Sequence, residues 1–206
     1  MTEVDLLNQA LAYLGEARVQ SLTQNTVSAK YGADHLRSSV EQVLRLHPWN
    51  SAIKREKLAH LYEENSFGPK YSYQLPNDFL KLVVFNDDVA NYRIEGDTIV
   101  TDEDEVELVY VAYPEDFGLL DSVLVEAIAS KLAFNISINV TGQVGDQARM
   151  LQLHERILAR ARTIDARESS RDDDSLYEET LRDSPMIRAR YRSGRGRRGR
   201  GPYRIF

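Results

Sequence analysis

The chain has no cysteine among its 206 residues. Disulfide bonds, thiolate metal sites and cysteine nucleophiles are therefore excluded, and the composition fits synthesis in a reducing cytoplasm. No apolar stretch approaches the roughly 18 residues that are needed to span a bilayer. The acidic segment 1–5 does not have the pattern of a signal peptide. We accordingly expect no membrane partner.

Motifs for catalysis are also lacking. The histidines lie at no spacing typical of metal ligands, so we expect a surface or helix-cap position for each of His35, His47, His60 and His154. No serine stands in a nucleophile-elbow motif. The acidic runs 102–105 and 172–174 lack the alternating ligands and central glycine of a calcium loop. The sequence therefore predicts no enzyme, no metal and no cofactor.

Charge is present but unevenly distributed. The net charge is −6, yet the chain from Arg188 onward carries eight arginines and no acid. Without those eight positive charges, residues 1–187 carry a net charge of −14. An acidic body and a basic, glycine-rich tail are two electrostatically opposite parts of one chain.

Helical periodicity occupies both ends of the body. Thr2 fits the N-cap of a first helix that ends at Gly15, and a second helix is predicted over 27–46. A third helix is predicted from 122 to about 139. A final long helix has a predicted buried stripe formed by Val144, Ala148, Leu151, Ile157, Leu158, Ala161 and Ile164.

The middle third of the chain predicts strands. Residues 71–75 and 105–113 alternate between apolar and polar, and a turn around Gly96 joins two short apolar segments. The whole pattern predicts a mainly α fold, a helical bundle of long helices with a small β-rich insertion and an extended C-terminal tail. The predicted parts are N-terminal bundle helices at 1–47, the β-rich insertion at 48–115, C-terminal bundle helices at 116–167, and a linker with an Arg/Gly-rich docking tail at 168–206.

Two short signatures mark changes of backbone state. The first is His47-Pro48-Trp49-Asn50-Ser51-Ala52-Ile53-Lys54-Arg55, and the second is Tyr71-Ser72-Tyr73-Gln74-Leu75-Pro76-Asn77-Asp78-Phe79-Leu80-Lys81-Leu82. Together with the N-terminal run Asp5-Leu6-Leu7-Asn8-Gln9-Ala10-Leu11-Ala12-Tyr13-Leu14-Gly15-Glu16, they resemble the head-to-tail adaptor family of short-tailed bacteriophages, also called tail tubular protein A. The resemblance runs in order over residues 3 to 167.

The resemblance implies a non-enzymatic structural protein of the virion. Family members form a dodecameric ring beneath the portal protein and connect the DNA-filled head to the nozzle protein of a short tail. Double-stranded DNA passes through the central channel. The expected partners are thus further copies of the chain, the portal, the nozzle and DNA in transit. The expected location is the head–tail junction, after synthesis in the host cytoplasm.

The signature residues have structural interpretations. Trp49 is expected in the core, where the bundle meets the insertion, although an interface role stays open. Pro76 fixes a turn, and Asp78 caps or braces it. The structural signature consists of Trp49, Tyr73, Leu75, Pro76 and Asp78.

The basic tail leaves three interpretations open. It is a solvated end, a segment that binds nucleic-acid phosphates, or a segment that docks onto an acidic protein surface. Arginine binds carboxylates through a planar fork, and the aromatic and aliphatic tip supplies anchors that phosphate binding does not require. This favours docking onto the portal, and the alternative is a nucleic-acid-binding protein that uses the same tail. The predicted portal-docking residues are Arg188, Arg190, Arg192, Arg195, Arg197, Arg198, Arg200, Tyr203, Arg204, Ile205 and Phe206.

Overall fold

The computed structural model describes residues 1–61, 68–86 and 90–169. Its helices are α1 (Glu3–Leu14), α2 (Val27–Leu46), α3 (Ser122–Thr141) and α4 (Val144–Ser169), and its strands are β1 (Ile53–Lys57), β2 (Tyr71–Gln74), β3 (Phe79–Phe85), β4 (Tyr92–Glu95), β5 (Thr98–Thr101) and β6 (Glu107–Ala112). The chain divides into two compact units, Met1–Asp165 and Ala166–Phe206. Only the last residues of α4 are described in the second unit.

The helix ends follow local sequence signals. Thr2 and Asp5 form a capping box, in which the Asp5 backbone N–H donates to Thr2 Oγ1 at 3.2 Å and the Thr2 backbone N–H donates to Asp5 Oδ2 at 2.9 Å. This satisfies backbone donors that have no partner within the helix. The capped first helix and the predicted second helix at 27–46 are confirmed.

Helix α3 is the centre of the helical layer. It contacts both α1 and α2, and its buried residues occur on all sides of the helix. Length and composition alone would allow it to cross a membrane, so the expectation that no apolar stretch reaches that length is wrong. In the protein, 56% of its apolar window is buried, as in a core helix.

The strands form two antiparallel sheets of three strands. The first sheet has the order β1-β6-β3 and the second has the order β2-β5-β4. In the second sheet, Gly96 adopts a φ of 65° between β4 and β5, a conformation that glycine takes at little cost. The predicted hairpin at this glycine is confirmed.

Strand β6 lies between two hydrophobic cores. Val111 belongs to the core that α1, α2, α3 and α4 share. Its neighbours Tyr110 and Ala112 belong to a second core, which also contains Tyr73 and Ile99 of the other sheet. Because successive side chains of a strand point to opposite faces, one strand contributes to both cores.

The predicted fold class is wrong. The described residues form a mixed fold of four helices and two three-stranded antiparallel sheets, not a mainly α bundle of long helices with a small β-rich insertion. The physical reason is that the strands bury large side chains of their own, including Tyr73, Phe85 and Tyr110. A segment with its own core is a structural layer rather than an insertion.

The predicted buried stripe of α4 is also wrong in part. Val144 is 74% exposed and Leu151 is 39% exposed, and Ala148 is exposed as well. The residues that α4 buries are Met150, His154, Ala161 and Asp165. The stripe is rotated because two polar residues occupy the inward face.

Candidate functional site

The first signature closes the C-terminal end of α2. Trp49 is 1% exposed, and its Nε1–H donates to the carbonyl of Val43 at 3.0 Å. The His47 ring lies edge-on to the indole, with 4.8 Å between the ring centroids. Because a buried indole N–H needs an acceptor, the bond to α2 fixes how the chain turns from this helix toward β1.

A carboxylate of α4 holds the same signature in place. Asp165 is 5% exposed. Its Oδ2 lies 2.9 Å from His47 Nε2, and its Oδ1 accepts from the Asn50 backbone N–H at 2.9 Å. The Asn50 side-chain amide donates to the Asp165 carbonyl at 3.0 Å. Asp165 could not be predicted from the sequence, since nothing near it marks a partner 115 residues away.

The second signature braces the first sheet through Asp78. This carboxylate accepts from the Tyr110 hydroxyl at 3.1 Å and from the Lys54 ammonium group. Its backbone carbonyl accepts from the Tyr113 N–H at 2.7 Å. Glu56 also accepts from the Tyr110 hydroxyl, at 3.1 Å. Asp78 therefore connects β1 and β6 beside the turn that the sequence assigned to it.

The electrostatics of this group favour its present protonation states. Burial raises the pKa of Tyr110, and the hydrogen bond to Asp78 raises it further. The hydrogen bond to Asp78 also raises the pKa of Lys54. The phenol thus stays a hydrogen-bond donor and the amine stays a cation, as a structural brace requires.

The remaining signature residues belong to the second sheet and its core. Tyr73 is 1% exposed, and its hydroxyl donates to the Glu103 carbonyl at 2.9 Å. The Leu75 backbone N–H donates to the Asp97 carbonyl at 2.9 Å, and the Pro76 carbonyl accepts from the Phe79 N–H at 3.0 Å. These bonds fix the turn between β2 and β3.

One predicted histidine position is wrong. His154 is 5% exposed instead of lying at the surface, and its Nδ1 is 3.0 Å from the Ser130 hydroxyl of α3. Burial lowers the pKa of His154 to about 4, with a further contribution from the positive charge of Lys131. The imidazole is therefore neutral at neutral pH and joins α3 to α4 by a hydrogen bond.

The candidate metal ligands and the predicted docking residues lie in different parts of the chain. Within residues 1–61, 68–86 and 90–169, no group of three or more histidine, aspartate or glutamate side chains is placed to hold a metal ion. The predicted portal-docking residues from Arg188 to Phe206 lie outside the described residues, as does the acidic run 172–174.

Comparison of the chain with models of known protein families finds no match, and comparison with curated proteins finds none either.

Proposed function

We propose that this chain is a structural head-to-tail adaptor of a short-tailed phage. Copies of the chain form a ring between the portal and the tail nozzle, with a central channel for the genome. The observation that carries the proposal is the ordered pair of signatures at 47–55 and 71–82, with the N-terminal run before them. The fold class supplies no support, because the helical bundle that the sequence pattern predicts is not the fold of this chain.

The contacts of the signature residues suit a part that must keep its shape under load. Trp49 closes the end of α2, Asp165 holds the first signature to α4, and Asp78 connects two strands of the first sheet. Removing one partner from such buried polar contacts is costly, since the other partner keeps its desolvation penalty. The signatures therefore stabilise the helix-to-sheet junction.

The charge of the body suits a channel through which DNA moves. A net charge of −14 on residues 1–187, repeated around a ring, gives a potential that repels phosphates. DNA would slide along such a wall rather than bind to it. A channel wall poor in aspartate and glutamate in the assembled ring would contradict this part of the proposal.

The arginine-rich tail, residues 188–206, is the segment that we propose binds the portal protein. We expect that deletion of these residues leaves a folded protein that no longer cosediments with purified portal. The reason is that eight arginines and three apolar tip residues are removed together. Unchanged cosedimentation of the truncated chain would contradict the assignment.

Two matched full-length variants separate portal docking from nucleic-acid binding. Replacing Tyr203, Ile205 and Phe206 by serine keeps every tail charge, so portal binding falls while the salt-dependent DNA gel shift stays as in the wild type. Replacing the eight arginines by lysine keeps the charge but removes the planar forks, and it also weakens portal binding more than DNA binding. The opposite pattern, with tight DNA binding at physiological salt and portal binding unaffected by either variant, favours the nucleic-acid-binding alternative.

A further inference from the structure

The outward face of α4 carries a row of arginines. Arg149, Arg156 and Arg160 are separated by seven and four residues, so they lie above one another along the helix. All three are exposed. Arg149 forms an ion pair with Asp146 at 3.2 Å. The ion pairs among the described residues include none with Arg156 or Arg160, and the row therefore presents positive charge to the surroundings.

The same face has an apolar edge. Val144 and Leu151 are 74% and 39% exposed, and the small residues Ala148 and Ala159 are exposed between this edge and the arginine row. Exposed apolar side chains add little to phosphate binding, which depends on charge. They do stabilise a protein contact once they are removed from water. The face of α4 thus fits a protein surface that combines negative charge with apolar side chains.

The second sheet of the chain has a surface of this kind. The loop from Asp102 to Glu105 consists of four exposed acids. Of these, Glu105 pairs with Lys57 at 2.7 Å, and the ion pairs among the described residues include neither Glu103 nor Asp104. The loop leaves a stretch of negative charge beside the sheet.

Apolar side chains lie next to that loop on the edge strand β4. Tyr92 is 47% exposed and Ile94 is 41% exposed. Tyr92 is the register partner of Thr101, which directly precedes the acidic loop. An exposed strand edge is also open to contact with another chain. The acidic loop complements the arginine row of α4 in charge, and the apolar side chains of β4 match the apolar side chains of α4.

We propose that the outward face of α4 binds the acidic loop and the β4 edge of a second copy of the chain. The two contact surfaces are different, so the contact is head-to-tail, and repetition closes a ring when the rotation allows it. The inference names the surfaces that join copies in the proposed adaptor, and in that respect it rests on the proposed function. The contact depends on complementary charges and on apolar side chains that the two faces remove from water.

Charge reversal with rescue tests the contact in the full chain. Arg156→Glu/Arg160→Glu and Glu103→Lys/Asp104→Lys should each weaken self-association about tenfold or more in sedimentation equilibrium, because like charges then face each other. An equimolar mixture of the two variants should restore association. The matched control Lys30→Glu/Arg45→Glu reverses two exposed charges on α2 and should leave association unchanged.

Disulfide trapping tests proximity, and the cysteine-free sequence provides a clean background. Under mild oxidation, Ala159→Cys/Asp104→Cys should give a ladder of covalently linked copies. The control Ala33→Cys/Asp104→Cys places the first cysteine on an exposed position of α2 and should give no ladder beyond a trace. Circular dichroism of each variant checks that it is folded.

Several outcomes overturn the inference. In the first, the wild-type chain stays monomeric and the cysteine variant gives no ladder. In the second, self-association is unchanged by both charge reversals. In the third, the Arg156→Glu/Arg160→Glu variant loses DNA binding but still self-associates. If the α4 variants still form rings on the portal, this contact is ruled out, while the adaptor function is retained. Association through α4 in a chain that does not bind portal would reject the adaptor function and keep the contact.

Discussion

At the scale of single residues, His154 makes stability depend on pH. In the unfolded chain the His154 imidazole is protonated near pH 6.5, whereas in the folded chain its pKa is about 4. Between these values the unfolded state binds more protons, so the free energy of unfolding should rise as the pH rises from 4 to 6.5. The contribution is present in full above pH 6.5, where it is on the order of 3 kcal/mol.

Urea unfolding at several pH values measures this slope. His154→Asn removes the titrating group and should flatten the curve between pH 4.5 and 6.5. The control Gln152→Asn, at an exposed position of α4 without a titratable side chain, should leave the slope as in the wild type. A wild-type curve without slope over this range would show that the buried imidazole does not control the pH dependence.

Trp49 is the residue whose truncation should cost most among the signature positions. Trp49→Ala opens a cavity in the helical core and should lower the free energy of unfolding by about 3–5 kcal/mol. Trp49→Phe keeps most of the packing and loses the bond to Val43, so a cost of about 1–2 kcal/mol is expected. Leu119→Ala is a control at a 77% exposed position, and its effect should stay within about 0.5 kcal/mol. Equal losses for the three variants in urea unfolding would refute the core assignment.

A residue's position could be predicted where the residues next to it in the sequence determine that position. The core position of Trp49 and the turn at Pro76 could be predicted, because the neighbouring residues in the sequence indicate both. The inward position of His154 depends on Ser130, which is 24 residues away and offers a hydroxyl inside the core. Without that partner a buried imidazole would be costly, and the sequence shows no sign that the partner is there.

At the scale of elements, two glycines should respond oppositely to the same substitution. Gly96 has a φ of 65° in the turn between β4 and β5, so Gly96→Ala should cost about 1 kcal/mol through left-handed strain. Gly145 lies in the first turn of α4, with open space around its Cβ position. Gly145→Ala should be neutral or stabilising by up to about 0.5 kcal/mol. Thermal unfolding below the concentration of self-association compares the two, and destabilisation of similar size in both would contradict the argument.

Element boundaries were more predictable than element faces. The cap at Thr2 and the glycine at 96 act through their own backbone neighbours, so the helix start and the hairpin could be predicted. Helix α4 has apolar residues on two sides, and the pattern alone cannot say which side faces the core. The pattern predicts Leu151 and Val144 on the inward side, yet that side holds His154 and Asp165 because each finds a hydrogen-bond partner there.

At the scale of the whole molecule, the fold class could not be read from segment lengths. The strands are short, which made the middle third look minor beside four helices. Their importance comes from how Tyr73, Phe85 and Tyr110 meet in one core from distant positions. The charge division between the body and the tail, in contrast, is a property of composition and could be stated from the sequence.

The position of β6 has a consequence for cooperativity. Loss of either core would remove the support on one side of this strand, and the other core would then lose Val111 or its neighbours Tyr110 and Ala112. Denaturant should therefore melt residues 1–165 in a single transition. Tryptophan fluorescence reports the helical core at Trp49, and the NMR signals of Tyr73 and Tyr110 report the second core, so both probes should share one midpoint. Separate midpoints would mean that the two layers melt independently.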